Sequence, residues 1–449
     1  MRVNAVLNLM HRLPSPEARL ALGKRLRKRV LRRKDQAQWS PQPSRPDVVD
    51  TLIAAHRDRV QSLLPIKYGR MAAAPFGFFR GAMPVFAADI APSPTTGLTV
   101  QLCGDAHVRN LGAYAAPDGH LVFDINDFDE TLPGPWEWDL KRLAASVILA
   151  GQEAGCRADI CADAVMFLVQ SYREAMFRFA GMKVLELLRL EISRHACRGP
   201  VRDVLAKAAR ATPSDALRRL TTGDGRRLRF LRRPPLVTSV DRTTAARVIA
   251  SLAEYRESLG PDHQAVLDAY RPVDVAFKVV GTGSVGTRDY ILLFFGNGPN
   301  DPMFLQIKQA VPSAYAAHVG ATASGHHGRR VAEGQHRMQT VSDPLLGWTT
   351  IGDDQYLVRQ LRDHKASITP EELSGRALEE YSRVAGEVLA KAHARTGDAA
   401  ALAGYCGKND VLDVAIRKFA LTYAEQTERD HARLLQAIRA GRIPAERNV

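Results

Sequence analysis

The sequence predicts an α+β fold, with a small antiparallel β lobe beside a larger, mainly helical lobe. Three observations predict it. Residues 273–310 alternate apolar runs with glycine turns, as strands do. Apolar residues recur at every third or fourth position in the segments around 48–64, 132–155, 160–195, 371–398 and 410–440, the period of a helix. Residues 98–130 read as two short strands joined by a tight Pro-Asp-Gly turn. At a soft prior of ~150 residues per domain, 449 residues make two or three domains or lobes, each able to bury a core.

Composition narrows the class. No apolar run approaches the ~18 residues of a membrane span; LAASVILAG at 143–151 comes nearest and is too short. Cysteines at 103, 156, 161, 197 and 406 form no CxxC pair and have no His at zinc-finger spacing, which argues against a disulfide framework or a structural zinc. A soluble cytoplasmic protein is expected. The net charge of +14 is uneven, because residues 1–34 hold eleven Lys or Arg against the single acid Glu17. Such an arm reads either as a solvated helix and tail or as a contact for nucleic acid or an anionic membrane surface.

Taken in order, the arm gives way at Trp39–Pro46 to a linker and then to the helical VVDTLIAAHRDRVQSLL. PIKYGRMAAAPFGFFRG follows, where Arg70 and Arg80 are either surface charges or a pair facing an anion. Next comes GDAHVRN at 104–110 and, after the 117–119 turn, DINDFDE at 124–130. A hairpin brings both polar clusters to one end. Asp105 as a base, with Asn110 and Asp127 as oxygen ligands, are the parts required for magnesium-dependent phosphoryl transfer. Gly, Asp and Asn are equally the residues that turns prefer.

Asp139 sits just inside an amphipathic helix start, where a carboxylate usually caps. Residues 198–245 are Arg-rich and irregular, including RRLRFLRRPP at 226–235, either a basic patch or a solvated insertion. Gly281, Gly283 and Gly286 form GxGxxG, but strand-like residues follow it, which disfavours a dinucleotide fold. A glycine loop with Ser284 between antiparallel strands, then Lys308 alone in an apolar strand, is the arrangement that covers nucleotide phosphates in kinases. The helix near 328–341 offers Glu333 to pair with Lys308; the bland alternative makes both surface charges. WTTIGDDQYLVRQLRD reads as two further strands, and His393 and Asp398 as caps of the last long helices.

GDAHVRN followed by DINDFDE resembles the phosphotransfer loop and metal segment of the aminoglycoside phosphotransferase and choline kinase branch of the protein-kinase-like superfamily, and PGPWEWDLKRLAAS resembles the helix start after them. This resemblance implies catalytic roles for Asp105, His107 and Asn110, with Asn110, Asp127 and Asp129 on magnesium. It implies ATP held by Gly281, Gly283, Ser284, Gly286 and Lys308, with Glu333 behind the lysine. KYGRM, GDAHVRN, NDFDE, WEWDLKRLAAS and GTGSVGT also resemble motifs of a bacterial family known as domain of unknown function 2252. The motif order is reversed from that of kinases, where the glycine loop comes first. A circularly permuted kinase-like fold accommodates it, since domain termini often lie close together. The division expected is an arm and linker (1–50), a large lobe with the catalytic and metal loops (51–270), a small nucleotide lobe (271–365) and helices completing the large lobe (366–449).

The function expected is an ATP- and magnesium-dependent phosphotransferase acting on a hydroxyl- or amine-bearing acceptor, a small molecule or a protein. The alternatives are an inactive kinase-like nucleotide-binding or partner-binding module, and a nucleic-acid-binding protein using the basic arm.

Overall fold

The computed structural model describes residues 14–192, 199–223, 228–279, 281–320, 325–361 and 365–446; Arg2, Arg12, Cys197, Arg226 and Arg227 lie outside them. The fold is α+β, with helices predominating and antiparallel sheets.

The main sheet has six strands in the order Gly347–Ile351, Asp354–Gln360, Pro302–Gln309, Asp289–Phe295, Arg271–Lys278, Val237–Ser239. Each is antiparallel to the next. Aromatic and β-branched runs such as DYILLFF suit a pleated surface that is buried on both faces. One face carries Tyr290, Leu292, Leu305, Ile307 and Val358 against Val248, Tyr255 and Leu267 of the helices at 242–268. The other carries Ile291, Leu293 and Phe304 against Ala216 and Phe230. The sheet therefore draws part of its cover and one edge strand from residues that precede position 271.

The helical body is built on Trp136–Glu153, Ala158–Ala180, Arg376–Thr396, Ala399–Cys406 and Val411–Arg439. The first of these was expected to be amphipathic, yet every residue from Trp136 to Gly151 is buried. Its charged side chains must then find partners inside the protein. Glu137 accepts from the Thr96 N–H at 2.7 Å, and the Lys141 ammonium lies 4.9 Å from the Phe419 ring centre.

Two sequence expectations need correction here. The hairpin expected to carry catalysis pairs Leu111–Ala115 with Leu121–Ile125, whereas the apolar run leading into it, Thr99–Leu102, pairs with Leu132–Pro135. The turn at 116–120 is as expected, and the convergence of 104–110 with 124–130 survives, because Asn126 N–H donates to the Asn110 carbonyl at 2.9 Å. Over its described residues, the basic arm is docked rather than solvated. Its helix Pro16–Leu26 meets Ala399–Cys406 so closely that a Cβ on Gly23 would collide with the Ala401 carbonyl. Arg27 donates to the Tyr405 carbonyl at 3.1 Å and Arg32 to that of Cys406 at 2.6 Å, satisfying carbonyls that a helix end leaves open. Lys24, Arg25, Lys28, Arg33 and Lys34 stay exposed. The four described cysteines are free, and no described helix is long and apolar enough to cross a membrane.

Candidate functional site

Between the sheet and the helical body lies a cleft lined by Asp105, His107, Asn110, Asp127, Asp129, Gly281, Gly283 and Ser284. Two stretches far apart in sequence thus meet in one place.

The floor is the loop 103–110, held from below. Asp139 accepts from Cys103 N–H at 2.8 Å and Gly104 N–H at 3.0 Å. Its carboxylate also lies 3.3 Å from His393 Nε2, and His393 Nδ1 lies 2.9 Å from the Tyr172 hydroxyl. All of this is fully buried. Caps were the expected roles of Asp139 and His393; instead both secure the loop, because a carboxylate in the first turn of a buried helix faces the loop that packs across it. Asp398 does cap, accepting from Ala401 N–H at 3.0 Å. Gly104 has φ +89°, and a Cβ there would strike the Glu130 carbonyl, so a glycine is required where the loop passes the acidic segment.

Asp105 projects into the cleft with one oxygen committed. Arg142 Nε and Nη2 lie 2.8 and 2.5 Å from its Oδ1, while Oδ2 faces His107 Nε2 at 3.6 Å. Burial, helped by Arg80 and Arg142, holds the His107 imidazole well below its ordinary pKa, so it is neutral. Asn110 donates its amide to the Asp105 carbonyl at 2.8 Å, which turns its side-chain oxygen toward other uses.

The acidic segment divides its labour. Asp124 forms a buried ion pair with Lys391, away from the cleft. Asp127 Oδ1 is shielded from solvent and accepts no hydrogen bond, 3.6 Å from Lys308 Nζ. Burial alone would push the Asp127 carboxyl up, but Lys308, with Arg359 and Lys365, holds it well below the carboxylate range. Asp129 pairs with Lys308 and accepts from Ser284 Oγ at 3.1 Å, tying the acidic segment to the glycine loop. An oxygen-only set of Asn110 and Asp127, with an orphaned carboxylate oxygen, fits a hard divalent cation. Among the described residues no three His, Cys, Asp or Glu side chains close on one point, so such a cation would complete its shell from a ligand or water.

The roof is the loop 281–286 between Arg271–Lys278 and Asp289–Phe295. Its carbonyls are gripped from one side: Lys67 donates to Thr282 and Gly283 at 3.1 and 2.7 Å, Arg59 to Gly283 and Val285 at 2.9 and 2.7 Å, and Arg70 to Gly281. Among the described residues the N–H groups of Thr282, Gly283 and Ser284 have no hydrogen-bond partner. Gly281 and Gly286 adopt φ +61° and +91°, conformations that favour glycine.

Lys308 lies on the cleft face of Pro302–Gln309 and is buried. Its expected partner, Glu333, is elsewhere. Within His327–Met338, Arg329 and Arg337 stand one turn to either side of Glu333; Arg329 Nε is 2.7 Å from Glu333 Oε1, and Arg337 Nη2 is 3.9 Å from Oε2. The helix turns Val331, Ala332 and Gln335 inward instead. It supports the acidic segment through Arg330, which donates to the carbonyls of Asp129 at 2.9 Å and Thr131 at 2.5 Å. Acids of the 127–129 turn therefore balance the lysine.

The pattern of residues had not marked Lys67, Arg142 or Asp139 as loop supports. What could have marked them is a charge inside an otherwise apolar helical run, as in WEWDLKRLAAS and PIKYGRM.

No curated protein and no solved structure matches the chain. The family model described as "Uncharacterized protein conserved in bacteria (DUF2252)" matches residues 59–437, a span that contains every loop of the cleft. The chain belongs to that bacterial family.

Proposed function

We propose that the protein is an ATP- and magnesium-dependent phosphotransferase, with a kinase-like fold whose segments occur in circularly permuted order. The observation that carries this is the meeting in one cleft of Asp105, Asn110 and Asp127 with Lys308 and the unpartnered N–H groups of the 282–284 loop. Strand, glycine turn, strand, lysine strand, helix and two strands follow one another over 271–360, the succession that covers nucleotide phosphates in kinases. Ile368, Tyr381, Leu402 and Phe419 pack into the same core as Phe76, Leu102, Trp136 and Leu205, as a permuted chain requires.

The residues take these roles. N–H groups of the 282–284 loop, held outward by Lys67 and Arg59 on the carbonyl side, bind phosphate oxygens. Lys308 offsets their charge. Asn110 and Asp127 would hold magnesium, which would offset the charge that develops on transfer. Asp105, oriented by Arg142 on one oxygen, takes the proton from the acceptor hydroxyl with the other. The acceptor oxygen forms its bond to the γ-phosphorus as the bond to ADP breaks.

A second reading, nucleotide binding without transfer, draws on the same Arg142 contact, because Arg142 already occupies one oxygen of the Asp105 carboxylate. The nucleic-acid reading loses support from an arm whose Arg27, Arg29 and Arg32 are spent on internal carbonyls.

The test is magnesium-dependent consumption of ATP. Lys308→Ala should lower the rate ~10²–10³-fold, as loss of a charge stabilising the transferring group does. Glu333→Gln should change it by no more than about threefold, since its pairs with Arg329 and Arg337 are half-exposed. A large loss in Glu333→Gln would restore the lysine–glutamate pair that the structure lacks.

A further inference from the structure

We propose that the acceptor is a small oxyanion, a hydroxyl compound already bearing a phosphate or carboxylate, and that Arg80 and Arg109 hold its charged end beside Asp105. The inference rests on the phosphotransfer reading and adds the class of acceptor to it.

Most of the cations around the cleft are taken up by partners. Arg142 is spent on Asp105, Arg59, Lys67 and Arg70 on the glycine-loop carbonyls, and Lys308 on Asp127 and Asp129. Arg80 and Arg109 remain. Arg80 lines the cleft wall with Asp105, His107 and Asn110, from the end of helix Pro75–Gly81. Arg109 belongs to the catalytic loop itself, one residue before Asn110. In both, Nε is shielded from solvent and has no hydrogen-bond partner. Neither guanidinium forms an ion pair among the described residues; that of Arg80 lies 6.0 Å from the Phe76 ring centre.

The two repel each other as well. Burial, and then Arg109, lowers Arg80 to about 10. His107 cannot relieve this, being neutral. Glu153 and Glu371 face the pair, but neither makes contact with it, and burial together with Glu371 raises the Glu153 carboxyl. A shielded donor such as each Nε is costly unless something completes it. The planar fork of an arginine matches phosphate and carboxylate oxygens, with two charge-assisted hydrogen bonds each. Arg80 lines the cleft with Asp105, and Arg109 stands four residues after Asp105 in the loop that would present the acceptor. An anion held there leaves the acceptor's hydroxyl at the base and sets apart neutral polyols, which would leave both arginines unfilled.

The experiment is thermal unfolding of the full chain with magnesium and the β,γ-imido analogue of ATP at saturation. Glycerol 3-phosphate, glycerate, inorganic phosphate or glycerol is then titrated in at constant ionic strength. Wild type should show a further saturable shift with the phosphate ester or the carboxylate and none with glycerol. A response to inorganic phosphate alone would place a free anion there and overturn the acceptor assignment. Arg109→Gln should weaken the response to the ester or carboxylate roughly tenfold or more, the size of a lost charge-assisted hydrogen bond, with the nucleotide shift unchanged. Arg80→Gln gives the same reading on the second arginine. The inference falls if no anion shifts the nucleotide-loaded protein, or if Arg109→Gln responds as wild type does. If the analogue itself produces no shift in wild type, the phosphotransfer reading has failed first.

Discussion

Asp105→Asn is expected to lower phosphoryl transfer ~10²–10⁴-fold, the usual contribution of a positioned base, while binding of magnesium nucleotide stays close to wild type. The split follows from the division of labour at the carboxylate. Oδ1 belongs to Arg142, and an amide oxygen can still accept from that guanidinium. Oδ2 is the oxygen left for the acceptor's proton, and an amide cannot take one. Nothing that is assigned to the phosphates or the metal touches the Asp105 side chain. Steady-state rates and titration of the imido analogue separate the two effects. Equal loss of both would make Asp105 a structural partner of Arg142, and an unchanged rate would move proton transfer elsewhere.

Asp139→Ala is expected to destabilise the protein by about 3 kcal/mol or more, since two buried N–H groups lose their acceptor and each such loss costs roughly 1–3 kcal/mol. The groups are Cys103 and Gly104, immediately before Asp105. His393 loses its carboxylate at the same time. No water-exposed route lets the loop satisfy itself, because Asp139 and His393 are fully buried. Denaturant unfolding measures the cost. Asp139→Asn, which keeps one acceptor oxygen, should fall between wild type and Asp139→Ala. A stability loss below about 1 kcal/mol in Asp139→Ala would mean that the loop stands without this anchor.

How far the sequence could be read depends on what each feature needs. The glycine-loop hairpin, the lysine strand and the two strands after it were legible, because period and turn chemistry are local properties. The strand Leu111–Ala115 was not, since LGAYA is rich in residues that strands ordinarily avoid and pairs only because Leu121–Ile125 folds back on it. The expected Lys308–Glu333 pair failed for a reason outside any motif. The rotation of His327–Met338 is set by which residues the sheet buries, and Arg329 and Arg337 then claim the acid that is turned away. Asp139 looked like a cap because its helix start is visible in sequence, whereas the loop it supports lies far from it along the chain. The docked arm was hidden similarly: an Arg-rich stretch says nothing of the Ala399–Cys406 carbonyls that wait for it.

The measurement that bears most directly on the cleft is thermal unfolding of wild type and Asp127→Ala with and without ATP and magnesium. Asp127 carries the orphaned oxygen of the candidate metal site. Wild type should gain about 2.7 kcal/mol at ~100 times the dissociation constant, only when magnesium accompanies ATP, and Asp127→Ala should gain nothing. No shift in either protein at millimolar ATP, or equal shifts in both without magnesium, would contradict a metal-nucleotide cleft.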